Sequence, residues 1–128
     1  PLLNYRDLNA LDRDIQNSVY VSPEIENYVV RLWDASWEPH KLGITLPDVY
    51  VEDLVVAGAS VRGMSAMVRA AKVCAWLEGR DHVMPDDIHF VLLPSLTHRV
   101  FLSPVYDGRR EQLMPQFVQA LRDHIATP

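Results

Sequence analysis

Apolar residues recur along this chain at helical spacing, and proline, glycine and hydroxyl residues cut the pattern into five pieces and one long irregular stretch. Leu8, Leu11 and Ile15 fall three and four apart. They predict a first helix near residues 6–16, with Asp12, Arg13, Asp14 and Gln16 on its wet side. Ile25, Tyr28, Val29, Leu32 and Trp33 fit the i, i+3, i+4, i+7, i+8 template without a miss. Ser22-Pro23 ahead of them supplies a hydroxyl N-cap and then a proline at the first helical position, so a second helix is predicted over 23–36. A third follows over 61–78. Ser60 is its cap, Met64, Met67, Val68, Ala71, Cys74 and Ala75 its apolar face, and Gly79 its stop. Trp76 and Leu77 widen that face toward the end. Pro85-Asp86-Asp87-Ile88 opens a fourth piece over 85–99, which Pro94 is expected to cut short before one or two further turns. A fifth over 111–125 carries Leu113, Phe117, Leu121 and Ile125, with Pro115 confined to the first turn.

The stretch 37–57 resists this reading, because Pro39, Gly43 and Pro47 break any helix. Val49-Tyr50-Val51 within it is expected to be a short strand or extended chain. The stretch is apolar enough that it should lie against something, and connections of this length in small helical domains are often functional. Ser103-Pro104 and Asp107-Gly108 read as turns. The pattern as a whole predicts an all-α fold: a single domain over 1–128, built as a small bundle of about five helices with one long irregular loop.

Composition narrows the function classes. Apolar residues make up 48% of the 128, enough for a real core. A net charge of −5 disfavours nonspecific nucleic-acid binding, which needs a basic footprint. No apolar run approaches the roughly 20 residues of a transmembrane helix, and no signal peptide is visible. The single cysteine, Cys74, has no partner for an internal disulfide, which fits a reducing cytoplasm. Inside an apolar helix it reads as a buried structural thiol. A first residue of proline, without methionine, suggests a piece of a longer chain.

Little in the chain is equipped for chemistry of its own. Nothing matches a P-loop, and Gly58-Ala59-Ser60 lacks the closing glycine of a nucleophile elbow, so Ser60 reads as a helix cap. The five histidines lack metal-binding spacing, and no metal site is expected. Asp81, Asp86 and Asp87 read as a turn and helix-start acids. Trp33 and Trp76 are expected in the core, and Trp37, at a loop boundary, partly exposed. Arg62 remains. It stands on the first turn of a capped helix, where the positive end of the dipole disfavours a cation unless an anion approaches. A solvated surface arginine and half of a phosphate contact are both open readings.

Gly58-Ala59-Ser60-Val61-Arg62, Arg69-Ala70-Ala71-Lys72, the run Leu77 to Ile88 with its Gly79-Arg80-Asp81, and Thr97-His98-Arg99-Val100 together resemble the C-terminal lid domain of MoxR-type AAA+ ATPases. The likeness extends loosely from Leu8 to Leu102, although the 37–57 stretch is longer than expected for the family. The resemblance implies a lid that folds over ATP and magnesium held by a preceding core of the same parent chain. Arg62 is then the sensor-2 residue reaching toward the γ-phosphate, with Ser60 capping its helix. It also implies ring oligomers, usually hexamers, in the cytoplasm that remodel or mature partner proteins, von Willebrand A-domain proteins among them. No cofactor is expected for the isolated chain, and no catalytic residue lies in it. The run Gly79 to Ile88 also resembles the loop-to-helix junction of histone folds, which implies the alternative of a stand-alone helical pairing module.

Overall fold

The computed structural model describes residues 4–128. The fold is all-α, with six α-helices among the described residues and one small sheet: α1 Tyr5–Ser18, α2 Pro23–Ala35, β1 Val55–Ala57, α3 Val61–Leu77, α4 Pro85–Thr97, β2 Phe101–Leu102, α5 Pro104–Asp107 and α6 Arg110–His124. Tyr28, Leu32, Leu54, Ile88, Leu92, Leu96, Phe117 and Leu121 are fully buried in one continuous core.

Local chemistry sets most helix ends. Ser22 Oγ accepts the Ile25 N–H at 3.2 Å, and Pro23 opens α2. The α2 template is buried as its spacing predicts. At the far end of α3, Gly79 takes a left-handed φ of 75°. There the Arg80 N–H donates to the Ala75 carbonyl and the Gly79 N–H to that of Trp76, each at 2.9 Å, which closes the helix. Small residues on α3, Gly63, Ala71 and Ala75, are buried, and α3 makes the most extensive helix pairing of the fold with α4. The chain between α1 and α2 is pinned to the α3–α4 turn: the Tyr20 N–H donates to the Asp81 carbonyl and the Val83 N–H to that of Tyr20.

Several expectations are corrected. Of the apolar stripe on α1, only Ile15 is buried and Leu8 is half exposed, because α1 meets α3 mainly through its C-terminal half. There Arg69 pairs with Asp12, and Lys72 Nζ donates to the Gln16 carbonyl at 2.9 Å. Pro94 does not cut α4, which runs on to Thr97 and stops short of residue 99. Phe90 and Pro94 are both exposed, so the hydrogen bond that proline forfeits is lost on the wet side. Pro115 likewise lies beyond the first turn of α6, on its exposed side. Ser103-Pro104 opens a short helix, α5, where only a turn was expected.

The 37–57 stretch is ordered by burial of Ile44, Val51 and Leu54 and holds two short 3₁₀ turns, Pro39–Leu42 and Val51–Asp53. Its strand is not Val49–Val51 but Val55–Ala57, which pairs antiparallel with Phe101–Leu102. The Ser103 N–H continues that contact to the Leu54 carbonyl at 2.8 Å. Arg110 then ties α6 to the end of α4, donating to the carbonyls of Thr97 and Val100 and to Asp107.

One histidine is embedded among three helices. His89 Nε2 lies 2.7 Å from the Tyr28 hydroxyl, and Arg122 approaches its Nδ1 at 3.4 Å. Burial first, and then the charge of Arg122, lower the His89 pKa. The folded state therefore binds fewer protons than the unfolded chain. The stabilisation is complete above about pH 6.5 and is lost as pH falls through the lowered folded value. Thermal melts followed by circular dichroism should show a lower midpoint at pH 5 than at pH 7.5, and a His89→Asn variant should flatten that slope.

Candidate nucleotide-sensing site

The run from Gly58 to Gly63 turns the chain out of β1 and into α3. Ser60 is extended, at φ −77° and ψ 166°, and its Oγ accepts the Gly63 N–H at 3.3 Å, an N-cap as its position predicts. Arg62 follows on the first turn. It is exposed, and among the described residues it makes no hydrogen bond or ion pair. No acid stands in the first turn of α3. Cationic side chain and helix dipole therefore point the same sign of potential at the solvent, an arrangement suited to an incoming anion.

The backbone leading to Arg62 is held by the last turn of α2. Trp33 Nε1 donates to the Ser60 carbonyl at 2.7 Å, and Trp37 Nε1 to the Ala59 carbonyl at 3.0 Å. The fully buried Ser36 accepts the Ala59 N–H at 3.4 Å, while its own hydroxyl donates to the Trp33 carbonyl at 2.6 Å. Both glycines are required by close approach. A Cβ on Gly58 would lie 2.5 Å from the Trp37 ring, and one on Gly63 would overlap the Arg99 stem. Arg99 lies over the first turn of α3 and donates to the Ser95 carbonyl at 2.9 Å.

This clamp is what sequence reasoning missed. Trp33 is buried, as expected, but its indole N–H has a specific acceptor 27 residues away. Trp37 is 48% exposed, in keeping with its boundary position, and still serves the site through its N–H. The available signal was a pair of indoles one helical turn apart, since a buried indole N–H demands a partner. Trp76 departs from expectation. It is 41% exposed, and Leu77 is 70% exposed, because both stand round the helix from the fully buried Ala75.

The remaining candidates stay structural. Asp87 is 4% exposed and accepts both Arg80 terminal nitrogens, at 2.6 and 2.8 Å, and the Met84 N–H at 2.8 Å. Burial alone would raise its pKa; the Arg80 and Met84 hydrogen bonds and the guanidinium charge outweigh this and hold it below the usual carboxylate value. The charge of Asp87, after burial itself, helps push the half-buried Cys74 thiol up, so Cys74 is a protonated thiol rather than a nucleophile. His82 bonds Asp81 and His124 bonds its own helix. No three metal-ligating side chains converge among the described residues. No described helix is long and apolar enough to cross a membrane.

Comparison with known proteins gives the family and the fold. The AAA lid domain family matches residues 50–117, more than half of the chain. Protein MoxR of Methylorubrum extorquens is 42% identical over 127 residues, covering 99% of this chain and 37% of that protein. Chaperone MoxR1 of Mycobacterium tuberculosis is 32% identical over 117 residues, covering 91% of this chain and 29% of that one. The crystal structure of a Cytophaga hutchinsonii protein assigned as an ATPase superposes with a TM-score of 0.81 at 26% identity, over 96% of this chain and 36% of that chain. The chain thus spans only about a third of the length of these proteins, from 29% to 37%. With its Ser60-capped α3, its Gly79 stop and its fold in common with an ATPase segment, the chain belongs to the AAA lid domain family, as a lid of the MoxR type.

Proposed function

We propose that residues 1–128 act as one lid domain of a MoxR-type AAA+ ATPase, with Arg62 as the sensor-2 residue and Ser60 as the cap that holds its helix start. The observation that carries this reading is an exposed arginine without a partner among the described residues, on the first turn of a capped helix whose dipole adds to its charge. Arg62 and the α3 N-terminus suit a terminal phosphate. No P-loop or magnesium-binding carboxylate set accompanies them, so ATP and magnesium belong to a core on the parent chain. That core supplies the chemistry of phosphoryl transfer. The lid supplies one charge and a moving wall. Its closed position is favoured by the differential contact of Arg62 with the γ-phosphate, and hydrolysis weakens that contact.

Neighbouring subunits of a cytoplasmic ring, and client proteins including von Willebrand A-domain partners, complete the proposed setting, in which the lid couples hydrolysis to remodelling. The stand-alone pairing module is less favoured, because α3 and α4, the helices flanking the run Gly79 to Ile88, already pack against each other within one chain. Calorimetric titration of ATP separates the two. A longer chain carrying the core should bind ATP, and residues 1–128 alone should not. Equal binding by both, or by neither, would overturn the lid reading.

A further inference from the structure

Trp37 stands apart from the other residues around Arg62. It is half exposed, so the core does not need it in the way it needs Trp33, which is 3% exposed. Yet its indole makes two contacts with the segment that launches α3. The ring lies flush against Gly58, where any Cβ would collide, and Nε1 donates to the Ala59 carbonyl. Ser36, one residue earlier, accepts the N–H of the same Ala59. The peptide groups on both sides of Ala59 are therefore held from α2. Arg62 is three residues further on, within the first rigid turn of α3. Only Ser60 and Val61 stand between Ala59 and Arg62, neither is a glycine, and Trp33 holds the Ser60 carbonyl, so Trp37 and Trp33 together fix the backbone from which the Arg62 side chain starts.

We propose that Trp37 is a positioning residue for Arg62, acting through the Gly58–Ser60 backbone to hold the arginine where its phosphate contact is made. This rests on the sensor reading of Arg62. The sequence places a glycine opposite the ring and a hydrogen-bond acceptor opposite its nitrogen, which a tryptophan retained only for surface packing does not require. Phenylalanine at 37 keeps a ring against Gly58 but loses the donor. Ala59 is 1% exposed, so the change leaves its carbonyl without a partner; any loss of stability that follows is read by the melt and is separate from the loss of aim.

The test is a double-mutant cycle in the full-length ATPase, with ATP turnover as the readout and a thermal melt as the folding control. Trp37→Phe should lower kcat about fivefold, the scale of one net hydrogen bond. The same change made on an Arg62→Ala background should cost nothing further, because a residue that acts through Arg62 has nothing left to position. Equal losses on both backgrounds would show a merely structural role and overturn the inference, and so would unchanged turnover in Trp37→Phe alone. Gly58→Ala provides a second route. Its Cβ displaces the ring without altering the indole, and it should reproduce the loss of turnover and the same lack of additivity with Arg62→Ala. If Arg62→Ala itself leaves turnover intact, the sensor reading fails first and takes this inference with it.

Discussion

Arg62→Ala in the full-length protein should lower ATP turnover by on the order of a hundredfold, the scale of losing one preorganised charge at a developing phosphate oxyanion. The fold should not register the change. Arg62 is exposed and contributes no hydrogen bond or ion pair among the described residues. At the positive end of the α3 dipole its removal should, if anything, raise the melting temperature slightly. The two measurements belong together: steady-state turnover, and a thermal melt on the same oligomeric preparation. Normal turnover in a folded, assembled variant would remove the sensor assignment.

Asp87→Ala should have the opposite profile, with a large effect on stability from a residue remote from the sensor. Its carboxylate is buried and takes two hydrogen bonds from Arg80 and one from the Met84 N–H. It thus joins the turn after α3 to the start of α4, where Met84 at the N-cap offers no side-chain cap of its own. Removing it leaves the Met84 N–H without its acceptor and the Arg80 guanidinium, a quarter exposed, with only a long bond to the His82 carbonyl. A fall of roughly 7 °C in melting temperature is expected from the loss of charged hydrogen bonds at a part-buried site in a domain of this size. Acid titration checks the electrostatic part. The folded pKa is depressed, so the stabilisation from Asp87 is complete above an ordinary carboxylate pKa and is lost as pH falls through the lower folded value. The difference between wild type and variant should accordingly shrink only below about pH 4. A variant that melts within a degree or two of wild type at neutral pH would show that the pair is dispensable.

What could be read beforehand was whatever is decided within a few residues. Ser22-Pro23, Ser60 and Gly79 mark helix ends because capping is local chemistry, and the α2 and α6 stripes are buried because period alone selects a face. The place of Arg62, exposed on the first turn of a capped helix, was legible for the same reason. The prolines at 94 and 115 misled, since the cost of an internal proline depends on which side of the helix its missing N–H faces, and that is a tertiary fact. Trp76 and Leu77 misled because the buried face of α3 at that turn is only as wide as Ala75, narrower than the apolar run around it. The β1–β2 pairing joins two- and three-residue segments more than 40 positions apart, too short for any periodicity to register. The Trp33 and Trp37 clamp was only half legible: the sequence shows two indoles one turn apart, but not which distant carbonyls they bond.

Both ends of α3 are tied down, and this gives the helix a mechanical character. Its 17 residues make a rod about 25 Å long, with Arg62 exposed at one end and the part-exposed Trp76 and Leu77 at the other. The first end is held by the Trp33 and Trp37 bonds to Ser60 and Ala59, and the last by the Gly79 turn and the Arg80–Asp87 pair that joins it to α4. A push on the Arg62 end would therefore move α3 and α4 as one strut rather than swing α3 alone, and the apolar residues at the tip would travel with them.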